Sequence, residues 1–325
     1  MVRTKAGSDD IVVFAGSGLG SKNIAEDITK ILELRLSKLH THLFPDREIR
    51  VRIPVKDVEG KHVLYVQSTA PKRENIWKAP QSQSLVELFL TLDAFKEKGA
   101  KTVDVVVPYL TGARQHKEFK KGESVSTRTI AKILRNLGIF RLFTVDVHSH
   151  RRPGFFFLGR TRNFGGVKGY NITAAKALAS YIKDNLETRS PVVVIPDKGH
   201  VPIADEIREI IVPDEIVFMK KKRLGGENVR FKLLGELDLK GKDVVIFDDM
   251  ISTGRTLVGA SRLARKRGAT TVLVAVTHTL YVKRAREQLL GSGVDRIVAT
   301  DTIPKEDSVV PIAPIIAESL KKILF

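Results

Sequence analysis

The sequence predicts an α/β protein of two tandem, similar domains, each a mostly parallel sheet flanked by helices. Three observations carry that reading. Apolar, β-branched runs of strand length alternate with amphipathic helical patterns from end to end. Matching segments recur about 180 residues apart, so the chain occurs twice. Finally, the buried-strand pattern Val244 to Phe247 runs into two carboxylates, a hydroxyl-rich turn and a new helical pattern, as a ligand loop at the carboxyl end of a parallel strand does.

Length and composition agree. A chain of 325 residues has room for two sizeable cores. With 42% hydrophobic and 28% charged residues it reads as a soluble globular protein. No apolar run approaches the ~20 residues of a membrane span, and the polar start MVRTKAGSDD is no signal peptide. Cysteine is absent, which excludes disulfides, thiol catalysis and cysteine-ligated zinc, and makes the cytoplasm the expected setting. The net charge of +18 calls for anionic partners. Aromatic residues are only 6% and the cations are spread along the chain, which disfavours nucleic acid. Highly charged anionic substrates and a thermophile-type composition account for the excess better.

Taken in order, Ile11 to Phe14 opens the first copy as a strand and Val192 to Ile195 opens the second. Gly16-Ser17-Gly18-Leu19-Gly20 aligns with Pro196-Asp197-Lys198-Gly199 and reads as a tight strand-to-helix turn; the second-strand acid of a dinucleotide site is missing. Ile24 to Ile28 answers Ile203 to Ile207, and Glu48 to Ile53 answers Asn228 to Leu233. Gly60-Lys61 answers Gly241-Lys242. The offset falls to about 170 between Gly99 and Gly268, so the first copy carries about a dozen extra residues around Pro71 to Gln83. Arg151 to Gly169, rich in Gly, Arg and Phe, reads as a long connection, and Ile172 to Leu186 as a helix opening the second copy. The expected domains are 1–166 and 167–305, with 306–325 packing back on the first.

In the second copy, the helix start after Gly254 offers unpaired amides to a phosphate, and Ser252, Thr253 and Thr256 add hydroxyl donors. Asp248 and Asp249 would repel a phosphate; they suit sugar hydroxyls or a divalent cation. Together the two ends suit a sugar phosphate. The first copy has Gln67-Ser68-Thr69-Ala70-Pro71-Lys72-Arg73 there, without acids or glycine, so it is a partner and no pocket.

Three further segments bear chemistry. Arg114-Gln115-His116-Lys117, after the strand Val103 to Val107, fits either polyphosphate contacts or a solvated charge run. After Leu142 to Val145, alternation puts Asp146, His148 and His150 on one side, as a metal or phosphate cluster or as packed core histidines. Met219 to Gly226 sets four cations before two glycines, either a mobile loop that closes over a triphosphate or a solvated basic turn.

Lys242 to Thr256 closely resembles the phosphoribosyl diphosphate (PRPP) loop, with Arg255 in place of its second glycine. With Phe44 to Glu48, Tyr109 and Arg114-Gln115, Asp146-Val147-His148, Pro196-Asp197, Lys221-Lys222-Arg223 and Thr300 to Pro304, nearly the whole chain resembles the ribose-phosphate pyrophosphokinases of archaeal type. The resemblance implies two phosphoribosyltransferase-like (type I) domains and transfer of a diphosphoryl group from ATP to ribose 5-phosphate. It implies that Phe44, Asp46 and Glu48 reach a neighbouring subunit's adenine pocket. The ATP site would then be shared between subunits of a homo-oligomer (dimer, tetramer or hexamer). Arg114, Gln115 and His148 would bind ATP, and His148 and Asp197 would hold Mg2+. Asp248 and Asp249 would engage the ribose, while Ser252, Thr253, Gly254, Arg255 and Thr256 cradle its phosphate. Lys221 and Arg223 would be catalytic. The twin halves would form a bilobed clamp. Departures are His116 for an Asp, Arg151 and Pro153 for Gln, and the extension Phe155 to Gly169. The rival readings are a non-catalytic regulatory homologue, which would be expected to lose the acids or the Lys-Arg pair, and a phosphoribosyltransferase, which would need only one such domain.

Overall fold

The computed structural model of the chain describes residues 7–71, 81–150, 152–189, 191–196, 203–225, 228–233 and 238–325, with backbone alone at 8, 220–225 and 228–233. It divides into two units, Met1–Ile172 with Ile312–Phe325, and Thr173–Pro311.

The first unit runs β1 (Ile11–Ala15), α1 (Ser21–Leu32), β2 (Arg35–Ser37), β3 (His40–Leu43), β4 (Ile49–Arg52) and β5 (His62–Val66). It continues through α2 (Gln81–Glu97), β6 (Thr102–Val107), α3 (Ser126–Asn136), β7 (Arg141–Val145), β8 (Gly154–Leu158) and β9 (Val167–Ile172). Its sheet has the order β2-β1-β5-β6-β7-β9-β8, parallel except for β8; β3 and β4 form a separate antiparallel hairpin. The central strands β1, β5, β6 and β7 are almost wholly buried, as strands covered on both faces of a parallel sheet are. Helix α1 turns Ile24, Ala25 and Ile28 inward at the i, i+1, i+4 spacing of one helical face.

The second unit holds α4 (Ala175–Asn185), β10 (Val192–Ile195), α5 (Ala204–Ile211), β11 (Glu215–Gly225), β12 (Asn228–Leu233) and β13 (Asp243–Ile251). There follow α6 (Arg255–Lys266), β14 (Thr271–Thr279), α7 (Ala285–Leu290), β15 (Arg296–Thr300) and β16 (Ser308–Val310). The order β12-β11-β10-β13-β14-β15-β16 is parallel except for β12. Its first six parallel strands repeat the first unit's order strand for strand, β11-β10-β13-β14-β15-β16 against β2-β1-β5-β6-β7-β9. Among the described residues, no helix is long and apolar enough to cross a membrane.

The boundaries differ from those read in the sequence. A break at 166/167 would fall at the start of β9, but β9 pairs with β7 from Leu142↔Gly169 to Val145↔Ile172 and so belongs to the first sheet. Much of the expected connection Arg151 to Gly169 is the β8–β9 hairpin, knitted by Phe155 against Phe157 and Tyr170 and by Tyr170 stacked on Phe143 at 5.2 Å. The expected helix from Ile172 starts at Ala175, because Ile172 closes β9. At the other end β16 pairs with β15, so the chain leaves the second unit after Pro311 and not after residue 305. Helix α8 (Ala313–Leu324) then lies on α1, and Arg141, paired to Asp104, donates to the carbonyl of Ile323 at 3.2 Å. Of the extra segment Pro71 to Gln83, residues 72–80 lie outside the described residues.

Candidate active site

The loop expected to hold a phosphate grows out of β13. The sequence pattern ends this strand at Phe247, yet the ladder to β14 continues through Asp248↔Val276, Met250↔His278 and Ile251↔Thr279. The strand therefore carries both acids within it. Asp249 is buried at 7% exposure while Asp248 is half-buried, and Asp248 Oδ1 accepts the Asp249 amide at 2.9 Å. Gly254, at φ 71°, turns the chain into α6, which starts at Arg255, one residue before the expected point. That left-handed conformation is why glycine stands there. The first turn of α6 opens at the loop, where its amides have no intrahelical acceptors. Ser252, Thr253 and Thr256 are half-buried beside it, and Arg255 is exposed.

The loop rests on a buttress that sequence reasoning missed. The amides of Leu280 and Tyr281 donate to the Ile251 carbonyl at 2.9 and 3.2 Å, and that of Val282 to the Ser252 carbonyl at 2.9 Å. The supporting segment is itself strained, with Tyr281, Lys283 and Arg284 at φ 46°, 56° and 59°. It is pinned by Tyr281, whose hydroxyl donates to Asp307 at 2.5 Å, and by Arg286, which grips the same carboxylate at 2.8 and 3.1 Å. Burial, and then the Asp307 partner, push the Tyr281 hydroxyl far above its ordinary value. Beneath lies a buried hydroxyl network: Thr300 and Thr302 both donate to the Thr277 carbonyl, and His278 Nδ1 meets Thr302 Oγ1 at 2.8 Å. The paired tripeptides Thr277-His278-Thr279 and Thr300-Asp301-Thr302 are the only sequence trace of it.

In the first unit the equivalent loop is filled by protein. Gln67, Ser68 and Thr69 are fully buried. Gln67 Oε1 accepts the Gly18 amide, Ser21 Oγ accepts the Ser68 amide, and Thr69 donates to the Tyr109 carbonyl at 2.7 Å. A Cβ on Gly16 would overlap the Gln67 amide and the Tyr65 hydroxyl, so the glycine-rich turn serves close packing.

The residues assigned to ATP fall in three places. Phe44 closes the β3–β4 hairpin, half-buried between His42 at 4.6 Å and Arg50 at 5.4 Å, with Asp46 and Glu48 exposed at the tip. Glu87, buried on α2, anchors this hairpin through Thr41 and also holds Ser17. After β6, Arg114 is exposed, and Gln115 donates to Glu123 at 3.2 Å. Glu123 also accepts the Phe119 and Lys120 amides, and these bonds, the Lys120 amide first, draw its carboxyl below the ordinary range. After β7, the turn holds His148 half-buried, with its ring 6.2 Å from that of His116.

The strand alternation expected to align Asp146, His148 and His150 does not exist. β7 stops at Val145, Asp146 takes φ 38°, and the His150 amide closes a turn on the Val147 carbonyl. His150 stacks on Phe156 at 4.7 Å instead. Among the described residues no three His, Asp or Glu side chains gather as a metal cage. Asp197 lies outside the described residues. Lys221 and Arg223 belong to β11, whose backbone pairs with β12 at Lys221↔Phe231 and Arg223↔Val229, so the expected loop is a β-hairpin as far as Gly225. The strands prevail because β12, Asn228 to Leu233, alternates polar residues with Val229, Phe231 and Leu233, the period of a strand.

Two duplicated α/β units, only one keeping an acid-hydroxyl-glycine loop at a strand's carboxyl end, define a class of sugar-phosphate-binding proteins. Residues 11–138 match the family described as the N-terminal domain of ribose phosphate pyrophosphokinase, and residues 206–324 the phosphoribosyl synthetase-associated domain. The chain is 37% identical over 292 residues to a Methanopyrus kandleri protein named ribose-phosphate pyrophosphokinase, covering 90% of this chain and 93% of that one. A Saccharolobus solfataricus protein of the same name is 37% identical over 298 residues, with 91% and 94% covered. The crystal structure of phosphoribosylpyrophosphate synthetase from Mycobacterium smegmatis matches 97% of this chain and 99% of its own, at 29% identity and a TM-score of 0.76. The chain belongs to the ribose-phosphate pyrophosphokinase family.

Proposed function

We propose that the protein transfers the β,γ-diphosphoryl group of ATP to the C1 hydroxyl of ribose 5-phosphate, giving PRPP and AMP. The observation that carries this reading is the loop from Asp248 to Thr256 at the carboxyl end of β13, kept in one unit and filled by protein in the other. Family membership supports it. A non-catalytic regulatory role would have released the acids and the Lys221–Arg223 pair from their duties, yet all four remain. A phosphoribosyltransferase would need only one such unit.

In this reading the amides of α6 and the hydroxyls of Ser252, Thr253 and Thr256 hold the 5-phosphate, with Arg255 beside them. Asp248, and Asp249 behind it, orient the ribose hydroxyls. The C1 oxygen forms its bond to the β-phosphorus while the bond from that phosphorus to the α–β bridging oxygen breaks. AMP leaves with the bridging oxygen, and the hydroxyl proton passes to solvent. Lys221 and Arg223 neutralise the charge that spreads over the phosphoryl oxygens. Arg114 and Gln115 hold the triphosphate, and Phe44, Asp46 and Glu48 serve the adenine pocket of a neighbouring subunit in a homo-oligomer.

The cofactor of this reading is Mg2+, with His148 and Asp197 to hold it. A half-buried imidazole at a strand's carboxyl end, with few protein ligands around it, suits an ion that takes its remaining ligands from phosphate and water. Bound there, Mg2+ would supply charge neutralisation on the triphosphate. A cytoplasmic setting accords with these substrates. The test is AMP release from ATP, measured with and without ribose 5-phosphate. Release dependent on the sugar supports the reading; ADP as the product, or no sugar dependence, refutes it.

A further inference from the structure

The mechanism above gives no task to His116. β6 and β7 are parallel neighbours, with Val107 opposite Thr144, so the segments that follow them leave the same edge of the sheet side by side. There the His116 ring lies 6.2 Å from that of His148, inclined at 64°, and both residues are half-buried. The turn that carries His148 is firmly placed. Asn171, itself buried, accepts the Val147 amide at 2.9 Å and donates to the carbonyls of His150 and Arg152. His150, the companion suggested by sequence alternation, is committed to Phe156. The imidazole that accompanies His148 is therefore His116.

We propose that His116 is a second imidazole ligand, beside His148, for the divalent cation that accompanies the triphosphate, and that it tilts this site from Mg2+ towards Co2+. The inference deepens the function proposed above and rests on that reading for the nucleotide. Imidazole nitrogens ligate at about 2.0–2.1 Å, so two rings at this separation need to close by roughly an ångström to share one ion in adjacent positions. Imidazole is a borderline ligand that suits the later first-row ions, whereas Mg2+ favours oxygen and keeps its water. Arg114 and Lys117, on either side of His116 in the chain, oppose a bare cation, so the ion binds well only with the polyphosphate present. His116 also meets Phe119 edge-on at 5.8 Å, and aromatic packing alone is the reading to be beaten.

The experiment uses the full chain with α,β-methylene-ATP, whose α–β bridge cannot be cleaved. Pulsed electron paramagnetic resonance of bound Mn2+ counts the coupled imidazole nitrogens, and calorimetry compares Co2+ with Mg2+. Two coupled imidazoles are expected in the wild type and one in His116→Asp. The Co2+ preference over Mg2+ should fall by about tenfold or more in His116→Asp and His116→Asn. One imidazole in the wild type, or an unchanged preference in folded variants, overturns the proposal; the wild-type count needs no variant to fold. AMP release with Mg2+ is measured in parallel. Sugar-dependent release with a single imidazole sinks only the cation assignment, whereas two imidazoles without release sink only the function.

Discussion

The amide of Val282 donates to the carbonyl of Ser252 at 2.9 Å, so the first hydroxyl residue of the β13–α6 loop is fastened to the strained segment after β14. Left-handed residues cost roughly 1–2 kcal/mol each, and that conformation persists only where its surroundings fix it. Asp307 is the fixing group. Its replacement by Ala leaves Tyr281 without its acceptor and Arg286 with only Glu306, at 3.4 Å, and should lower stability by about 2–4 kcal/mol. The KM for ribose 5-phosphate should rise with it. Thermal unfolding and steady-state kinetics check both; an unchanged KM would make the buttress purely structural.

Gly254 offers a finer probe of the same loop. A Cβ there would meet Ala285 at an ordinary 3.5 Å, so the obstacle is its φ of 71° and not space. Gly254→Ala should cost about 1–2 kcal/mol and weaken ribose 5-phosphate binding, while Gly254→Asn, which tolerates this conformation better, should cost less. Equal losses for the two variants in thermal melts would refute the backbone explanation.

Lys221→Ala and Arg223→Ala should each lower turnover by roughly two to three orders of magnitude, the usual scale for removing a group that stabilises developing charge. Ribose 5-phosphate affinity should change little, because its proposed anchors are Asp248, Asp249 and Ser252 to Thr256. Turnover within a fewfold of wild type would remove these residues from the mechanism.

Burial, and then Arg152, hold His150 below its ordinary 6.5; burial, and then Lys101, do the same to His62. Both take up a proton less readily in the folded state than in the unfolded chain. Their stabilisation is thus present above about pH 6.5 and is lost as pH falls towards the folded-state values. Melting temperature should decline from pH 7 to pH 5.5, and His150→Phe, which keeps the stack on Phe156, should flatten part of that slope. A slope identical to wild type would exclude His150 as a contributor.

The duplication and the β13–α6 loop were legible because they are local patterns: strand runs, a glycine at a helix start, acids beside hydroxyls. What escaped was set by distant partners. β13 overruns its acids because Met250 and Ile251 still find pairing partners in His278 and Thr279. The hairpin of β8 and β9 was masked by Gly and Arg around its aromatic residues. Asp307 and its tie to Tyr281, 26 residues apart in sequence, leave no local signal. The alternation expected of Asp146, His148 and His150 failed because a turn at Val147 to His150 replaces the strand it assumed.

Phosphorus-31 NMR of ATP and ribose 5-phosphate incubated with the protein and Mg2+ tests the central claim most directly. A pair of coupled diphosphate resonances on C1 of the sugar is expected, appearing one-for-one with AMP and absent in Asp248→Ala. Accumulation of ADP, or of a sugar monophosphate at C1, would show that a different bond of ATP is broken and would contradict that claim.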